Sequence, residues 1–226
     1  MKSIELLKRF EHYPLFTEND VAKIVNKSPK YVRTLLYRLH KQRYIKRIEK
    51  GKYTVHEDPL IFSSYIAVPS YHSIWTALRY YNMTQQQPFG IFVMTPMPKQ
   101  AIKLDNTEIR FISTKHMFGY KKERYNDFDI FVANREKAIV DSLLFKLPIQ
   151  DIIQALEDTE INCQRLAEYA KKTGNKSLMK RLGYLLESTK GYSYGLRAFD
   201  NNYIRLDYLG KHKGKRETRW KLILNA

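Results

Sequence analysis

Cysteine is nearly absent from the 226 residues, with Cys163 standing alone. One thiol allows no internal disulfide and no thiolate zinc cluster within a chain. No histidine is paired with it, so it reads as a buried or incidental thiol, not a nucleophile. The six histidines (12, 40, 56, 72, 116 and 212) show no HxH, HxxH or HExxH spacing, so no metal site is expected. GxxxxGK[ST] and GxGxxG are both missing, which leaves nucleotide hydrolysis and dinucleotide binding without support and implies no cofactor. Long apolar runs are missing too. LIFSSYIAVP is the longest such stretch, too short and interrupted to span a bilayer, and MKSIELLKRF mixes charge with apolar residues where a secretory signal would have an apolar core. A cytoplasmic protein with no membrane partner is the expectation.

Carboxylates are the next scarcity, and it is local. Residues 27–52 hold ten Lys or Arg against Glu49 alone, net +9, whereas residues 1–26 net zero and residues 57–208 net +3. More than half of the chain's +17 therefore sits in about a ninth of its length. Within that block, SPKYVRTLLYRLHK places Val32, Leu35, Leu36 and Leu39 on one helical stripe. Ser28 suits the N-cap and Pro29 the first helical turn. The opposite side shows Lys30, Arg33, Thr34, Tyr37, Arg38 and Lys41, with donors, a hydroxyl and an aromatic but no carboxylate.

Upstream, Ile4, Leu7 and Phe10 suggest a first helix. Thr17 with Asp20 resembles a capping box opening a second, which carries Val21, Ile24 and Val25. The Asn26-Lys27-Ser28 turn separates helices two and three. Downstream, Tyr44 to Ile48 alternates like a strand, Glu49 to Lys52 supplies a turn and Tyr53 to Val55 returns. Three short helices and a hairpin predict a winged helix-turn-helix over residues 1–56. The concentrated charge makes double-stranded DNA its expected partner. The expected contacts are Ser28, Lys30, Tyr31, Arg33, Thr34, Tyr37, Arg38 and Lys41 from the helix, with Lys46, Arg47, Lys50 and Lys52 from the wing.

The remaining residues, 57–226, predict a mixed α/β domain, so the fold class expected for the chain is α+β. Composition supplies material for real cores, with 43% hydrophobic and 13% aromatic residues. SYHSIWTALRYY, residues 70–81, predicts a helix with Ile74, Leu78 and Tyr81 on one side. Phe89–Thr95, Ala101–Leu104, Glu108–Ser113 and Phe128–Val132 predict a small, mainly antiparallel sheet. Asn134 caps a helix with Ala138, Ile139, Leu143 and Leu144 inward, and further helices are expected over 149–157, 163–172 and 176–187. Tyr203–Tyr208 and Trp220–Leu224 read as strands around the basic loop KHKGKRETR. Its Lys211, Lys213, Lys215, Arg216 and Arg219 form a candidate second surface, for nucleic acid or for a further function of this domain, against the plainer reading of a solvated loop.

Two patterns invite an enzyme reading. Asp127-Phe128-Asp129 at a strand start resembles the paired carboxylates with which nucleotidyltransferases hold Mg²⁺. The Gly-Ser turn that would seat a triphosphate is missing, since Phe118-Gly119-Tyr120 offers no hydroxyl beside its glycine in the required pattern. Asp129 with Glu136 and Lys137 suggests a nuclease triad, but adjacent residues at a helix start diverge. No catalytic residue is assigned.

The run SYHSIWTALRYYNMTQQQP followed by GIFVMT, then FDIFVANREKAIVDSLL and LAEYAKKTGNKSLMKRLGYLLE, resembles the AbiEi family of antitoxins from type IV toxin–antitoxin and abortive-infection systems. The resemblance spans essentially the whole chain. It is strongest at Ser70-Tyr71, Trp75, Ala77-Leu78, Tyr80-Tyr81, Glu136-Lys137-Ala138, Asp141 and Arg181 to Tyr184. It departs at Asn82-Met83-Thr84, where Gly-Leu-Thr would be expected, although Asn tolerates the left-handed backbone such a turn needs. The resemblance implies a transcriptional autorepressor that binds inverted repeats in its own promoter, as a dimer or cooperatively. It also implies a C-terminal domain that counters a nucleotidyltransferase-like toxin encoded next door, with no direct contact required. The alternatives are a solitary winged-helix regulator without a toxin, and a metal-dependent nucleotidyltransferase or nuclease using Asp127 and Asp129.

Overall fold

A computed structural model describes residues 3–87, 89–158 and 160–225. The elements run α1 (Ser3–Phe10), β1 (Phe16–Thr17), α2 (Glu18–Val25), α3 (Pro29–Lys41), β2 (Lys46–Glu49), β3 (Lys52–Thr54), α4 (Pro59–Phe62), β4 (Tyr71–His72), α5 (Trp75–Tyr80), β5 (Ile91–Thr95), β6 (Ile102–Lys103), β7 (Glu108–Ser113), β8 (Tyr120–Tyr125), β9 (Phe128–Ala133), α6 (Arg135–Leu144), α7 (Ile149–Leu156), α8 (Cys163–Thr173), α9 (Lys176–Lys190), β10 (Ile204–Arg205), β11 (Lys215–Glu217) and β12 (Leu222–Leu224). The architecture is mixed α+β. Two compact units interleave along the chain: Met1–Tyr71, Phe89–Thr114 and Lys122–Phe131 form the first, and His72–Pro88, Lys115–Lys121 and Val132–Ala226 the second.

In the first unit, local chemistry sets the helix ends. The Thr17 N–H donates to Asp20 Oδ2 at 2.8 Å while the Asp20 N–H donates to Thr17 Oγ1 at 3.3 Å, a reciprocal capping box at the start of α2. Asn26, at φ 50°, ends α2 in the left-handed conformation, and the Ser28 hydroxyl accepts the Tyr31 N–H to open α3. Leu6, Phe10, Phe16, Val21, Val32, Leu36, Leu39, Ile45 and Tyr53 pack into one core, with Phe10 and Phe16 stacked at 4.0 Å. The side chain of Ile4 lies outside the described residues. β1 and β2 flank β3, both antiparallel to it.

A second core joins Ile48, Phe62, Ile66, Val93, Ile109 and Phe111. Here the structure departs from the expected antiparallel sheet, because β5 and β7 pair in parallel from Ile91↔Ile109 to Thr95↔Ser113. Parallel neighbours need a crossover of a dozen or so residues, and the segment between Thr95 and Glu108 supplies it, with β6 returning antiparallel to β7.

The second unit is largely helical. Its α6 is buried from Glu136 to Leu143, whereas Leu144, expected inward, is half-buried. The Asn134 side chain caps α6, and Asn162 and Asn175 cap α8 and α9 in the same way. Polar residues are drawn into this interior. Lys137 pairs with Asp141, which also accepts the Ser73 hydroxyl at 2.8 Å, and Trp75 Nε1 donates to Asp151 at 3.0 Å. Glu136 accepts from the Asn162 N–H at 2.9 Å and from Arg165 at 2.8 Å. Burial pulls the Lys137 ammonium below the usual lysine range, although the Asp141 carboxylate opposes that shift.

The helix expected over 70–81 is shortened to Trp75–Tyr80. Tyr71 and His72 form a strand, His72 pairing parallel with Val132, and Ile74 at φ 57° interrupts the helical path. The turn at Asn82 takes the anticipated left-handed form at φ 57°. The basic loop near the C-terminus is partly a strand. β11 pairs antiparallel with β12, which pairs parallel with β10. This small sheet is fastened to α9 by Arg181, whose guanidinium donates to the carbonyls of Arg205 and Leu206 and lies 4.0 Å from the centre of the Tyr208 ring. Buried Trp220 sits against Gly183 and donates its indole N–H to Glu187 at 2.6 Å.

A Cβ at position 183 would overlap the Trp220 ring. Gly183→Ala is therefore expected to destabilise the protein by about 1–3 kcal/mol, the range for overpacking a filled core, read as a lowered Tm in thermal denaturation. An unchanged or raised Tm would show that the ring moves aside freely.

Candidate nucleic-acid interface

α3 is 13 residues long, roughly 20 Å at 1.5 Å per residue. Its buried side holds Val32, Leu36 and Leu39, which leaves the other side to solvent along its whole length. Ser28, Lys30, Tyr31, Arg33, Thr34, Tyr37, Arg38 and Lys41 are all exposed there. Tyr31 and Tyr37, at 51% and 65% exposed, are large rings left outside the core. No acidic residue stands in the first turn, so the positive end of the helix dipole adds to the side-chain charge. Two side chains fold back on the helix: Arg33 Nε donates to the Pro29 carbonyl at 3.3 Å and the Thr34 hydroxyl to the Lys30 carbonyl at 3.1 Å. Arg33 keeps its two terminal nitrogens for a further partner.

The β2–β3 hairpin divides the four residues expected to form a wing. Arg47 and Lys50 are exposed. Lys46, by contrast, is half-buried and pairs with Glu57. Lys52 is turned inward, its ammonium donating to the Ile66 carbonyl and lying 2.9 Å from Glu49. Glu49 also receives Lys99 at 2.5 Å. Burial pushes the Glu49 carboxyl up, but hydrogen bonds and charge from Lys99 and Lys52 more than reverse this and hold it below the usual carboxylate range. The lone carboxylate of the basic block is thus a clamp at the turn end of the hairpin, next to Ile48, which enters the core beneath.

Sequence reasoning passed over the C-terminal end of α3. His40, Arg43 and Tyr44 are exposed beside Lys41. Arg43 adopts φ 62°, and a His40 ring nitrogen lies 3.2 Å from the Ile45 carbonyl. His40, Lys41, Arg43 and Ile45, with Lys46, Glu57 and Asp105, line a polar cleft. The positive φ at Arg43, which turns the chain from α3 into β2, carries no sequence signal because Gly or Asn would ordinarily mark it.

The paired carboxylates lie elsewhere in this unit. Asp127 is in the turn between β8 and β9, not on a strand, and its side chain is 98% exposed 4.0 Å from Arg124. Asp129 pairs with Lys122 at 2.9 Å and Arg124 at 3.6 Å, and the Lys122 hydrogen bond leads in lowering its pKa. Glu136 and Lys137 have separate partners in the other unit, as described above. In that unit Lys211, Lys213, Lys215, Arg216 and Arg219 are exposed, and Arg219 pairs with Glu187 at 2.5 Å.

No family model matches the chain, and no curated protein matches it. Among solved structures, the crystal structure of the RV2827C protein from Mycobacterium tuberculosis is similar, with a TM-score of 0.64 at 15% identity over 92% of this chain and 85% of that one. At that identity the likeness concerns the fold alone.

Because the Glu49 pKa is lowered in the folded protein, its contribution to stability is present above the ordinary carboxylate range and is lost as pH falls through the lowered value. Glu49→Gln is expected to cost about 1 kcal/mol at neutral pH and to flatten the acid limb of the stability curve. Chemical denaturation at pH 7 and pH 3 measures both, and an equal loss at both pH values would count against the ion-pair clamp.

Proposed function

We propose that the first unit contains a winged helix-turn-helix that binds double-stranded DNA, and that the protein is a transcriptional autorepressor and antitoxin of the AbiEi kind, acting in the cytoplasm without catalysis. The observation that carries the DNA reading is the solvent side of α3: eight donor or aromatic residues in succession, with no carboxylate among them. A helix of this length fits the major groove, where its N-terminal and middle turns meet base edges. Arg33, Thr34, Tyr37 and Arg38 are assigned to base reading, and the free terminal nitrogens of Arg33 suit bidentate contact with a guanine. Lys30, Lys41, Arg47 and Lys50 are assigned to phosphates, which set affinity by counterion release. Lys46 and Lys52, already engaged, contribute less. The regulatory and antitoxin roles rest on the sequence resemblance, whose strongest residues, Ser70 and Tyr71 apart, lie in the second unit. Inverted repeats in the promoter and a neighbouring toxin are its implied partners.

With around six phosphate contacts, affinity for the promoter is expected to fall by roughly a thousandfold from 50 to 200 mM salt. Arg33→Ala should cost about 1–3 kcal/mol on the operator and little on unrelated duplexes, whereas Lys50→Ala should weaken all duplexes alike. Fluorescence anisotropy reads both, and salt-insensitive or absent binding would refute the proposal.

For the antitoxin role, expression beside the neighbouring toxin in cells is the assay. Asp127→Ala with Asp129→Ala should leave protection intact, and its loss in a folded variant would favour the enzyme. Repression without protection would identify a solitary regulator.

A further inference from the structure

The small C-terminal sheet has two unlike faces. Side chains alternate along a strand, and the register places Ile204 beside Leu222, and both Arg205 and Arg216 beside Ile223. One face therefore carries Ile204, Leu206, Leu222 and Leu224, of which Leu206 and Leu222 are buried, with Lys215 and Glu217 along its β11 edge. The other carries Arg205, Arg216 and Ile223, with Tyr203 and Lys221 two residues before Arg205 and Ile223. On this second face the Arg216 guanidinium lies over the Tyr203 ring at 5.1 Å, and the Lys221 ammonium lies 5.7 Å from the same ring centre. Arg216 is exposed, so the side of its guanidinium turned away from the ring meets solvent.

The surroundings are cationic. Residues 209–226 carry six Lys or Arg against Glu217 alone, and Glu217 is occupied by the N–H groups of Arg219 and Trp220 at 3.1 and 2.6 Å. Polyanion and planar group are the two features that complement such a surface. A planar cation held over an aromatic ring stacks with nucleobases, and the neighbouring lysines suit the phosphates joining them. A duplex offers no unstacked base, so this chemistry selects a single strand.

We propose that this sheet face binds single-stranded nucleic acid, one base stacking on Arg216 above Tyr203 while Lys221 contacts an adjoining phosphate. The site is separate from α3 and independent of the duplex-binding reading.

The test uses the full chain and labelled 12-nucleotide strands of one sequence as RNA, as DNA, and as a DNA strand with abasic positions at its centre. Wild type is expected to bind both intact strands about tenfold more tightly than the abasic one, the scale of one stacked base. Arg216→Lys keeps the charge and removes the plane, and should abolish that preference while leaving promoter-duplex binding unchanged. Arg38→Ala should have no effect on the single strands. A tighter grip on RNA than on DNA would assign RNA as the ligand, and equal affinity a sequence of either sugar. The proposal is overturned if wild type does not distinguish intact from abasic strands, if Arg216→Lys retains the preference, or if Arg38→Ala removes it. Duplex binding that fails while the single-strand preference stands would refute only the α3 assignment.

Discussion

Repulsion among ten cations in residues 27–52 is the constraint around which the first unit is built. Two like charges 4 Å apart cost about 1 kcal/mol even in water, and more beside a low-dielectric interior. The segment holds its shape because apolar residues on its inner side are anchored in two cores: Val32, Leu36, Leu39 and Ile45 in one, Ile48 in the other. The few carboxylates nearby go to the lysines closest to the body of the unit. Glu49 takes Lys52 and Lys99, and Glu57 takes Lys46. What remains unneutralised is on the outside of α3, at Lys27 and Arg43 on either side of it, and at Arg47 and Lys50. Folding thus keeps electrostatic strain where an anion can relieve it, and a polyanion should stabilise the fold as well as occupy it.

The elements of this segment were legible because each has a local cause. A capping box, a proline at the first turn of α3 and a four-residue apolar stripe act within a few residues, so their sequence signatures coincide with the helices. The β2–β3 hairpin was legible, but not which of its lysines it leaves free. That depends on Glu57, Lys99 and the Ile66 carbonyl, partners supplied from outside the hairpin. β8 was missed for a related reason. YKKERY is polar on both sides, its residues alternating only between half-buried and exposed, so there is no apolar period to read. The parallel pairing of β5 with β7 was hidden because strand patterns do not encode neighbour direction.

In the second unit the residues that carry the family resemblance prove to be interior polar anchors more than surface features. Glu136, Lys137 and Asp141 are buried, as is Arg181, and each is held by specific donors or acceptors, although only Oε1 of Glu136 is engaged and its buried Oε2 has no partner among the described residues. Burying such groups stabilises little by itself, since desolvation offsets attraction, but an unmatched partner is costly. A reader of the sequence sees charges and thinks of solvent or catalysis. Only the three-dimensional structure shows the partners that hold them inside.

The interleaving of the two units has a consequence for how the molecule is made. Residues 89–114 and 122–131 belong with the N-terminal segment, and residues 72–88 and 115–121 with the C-terminal one. Pairings that span such separations close large loops before they are rewarded, which raises contact order and slows folding. On the ribosome the α3 segment emerges with its first core complete, but the strands that cover Ile48, Phe62 and Ile66 arrive dozens of residues later. A nascent chain stalled before residue 111 would display the cationic helix on an unfinished support, so synthesis itself sets an order in which the helix is available before the sheet beneath its hairpin is closed.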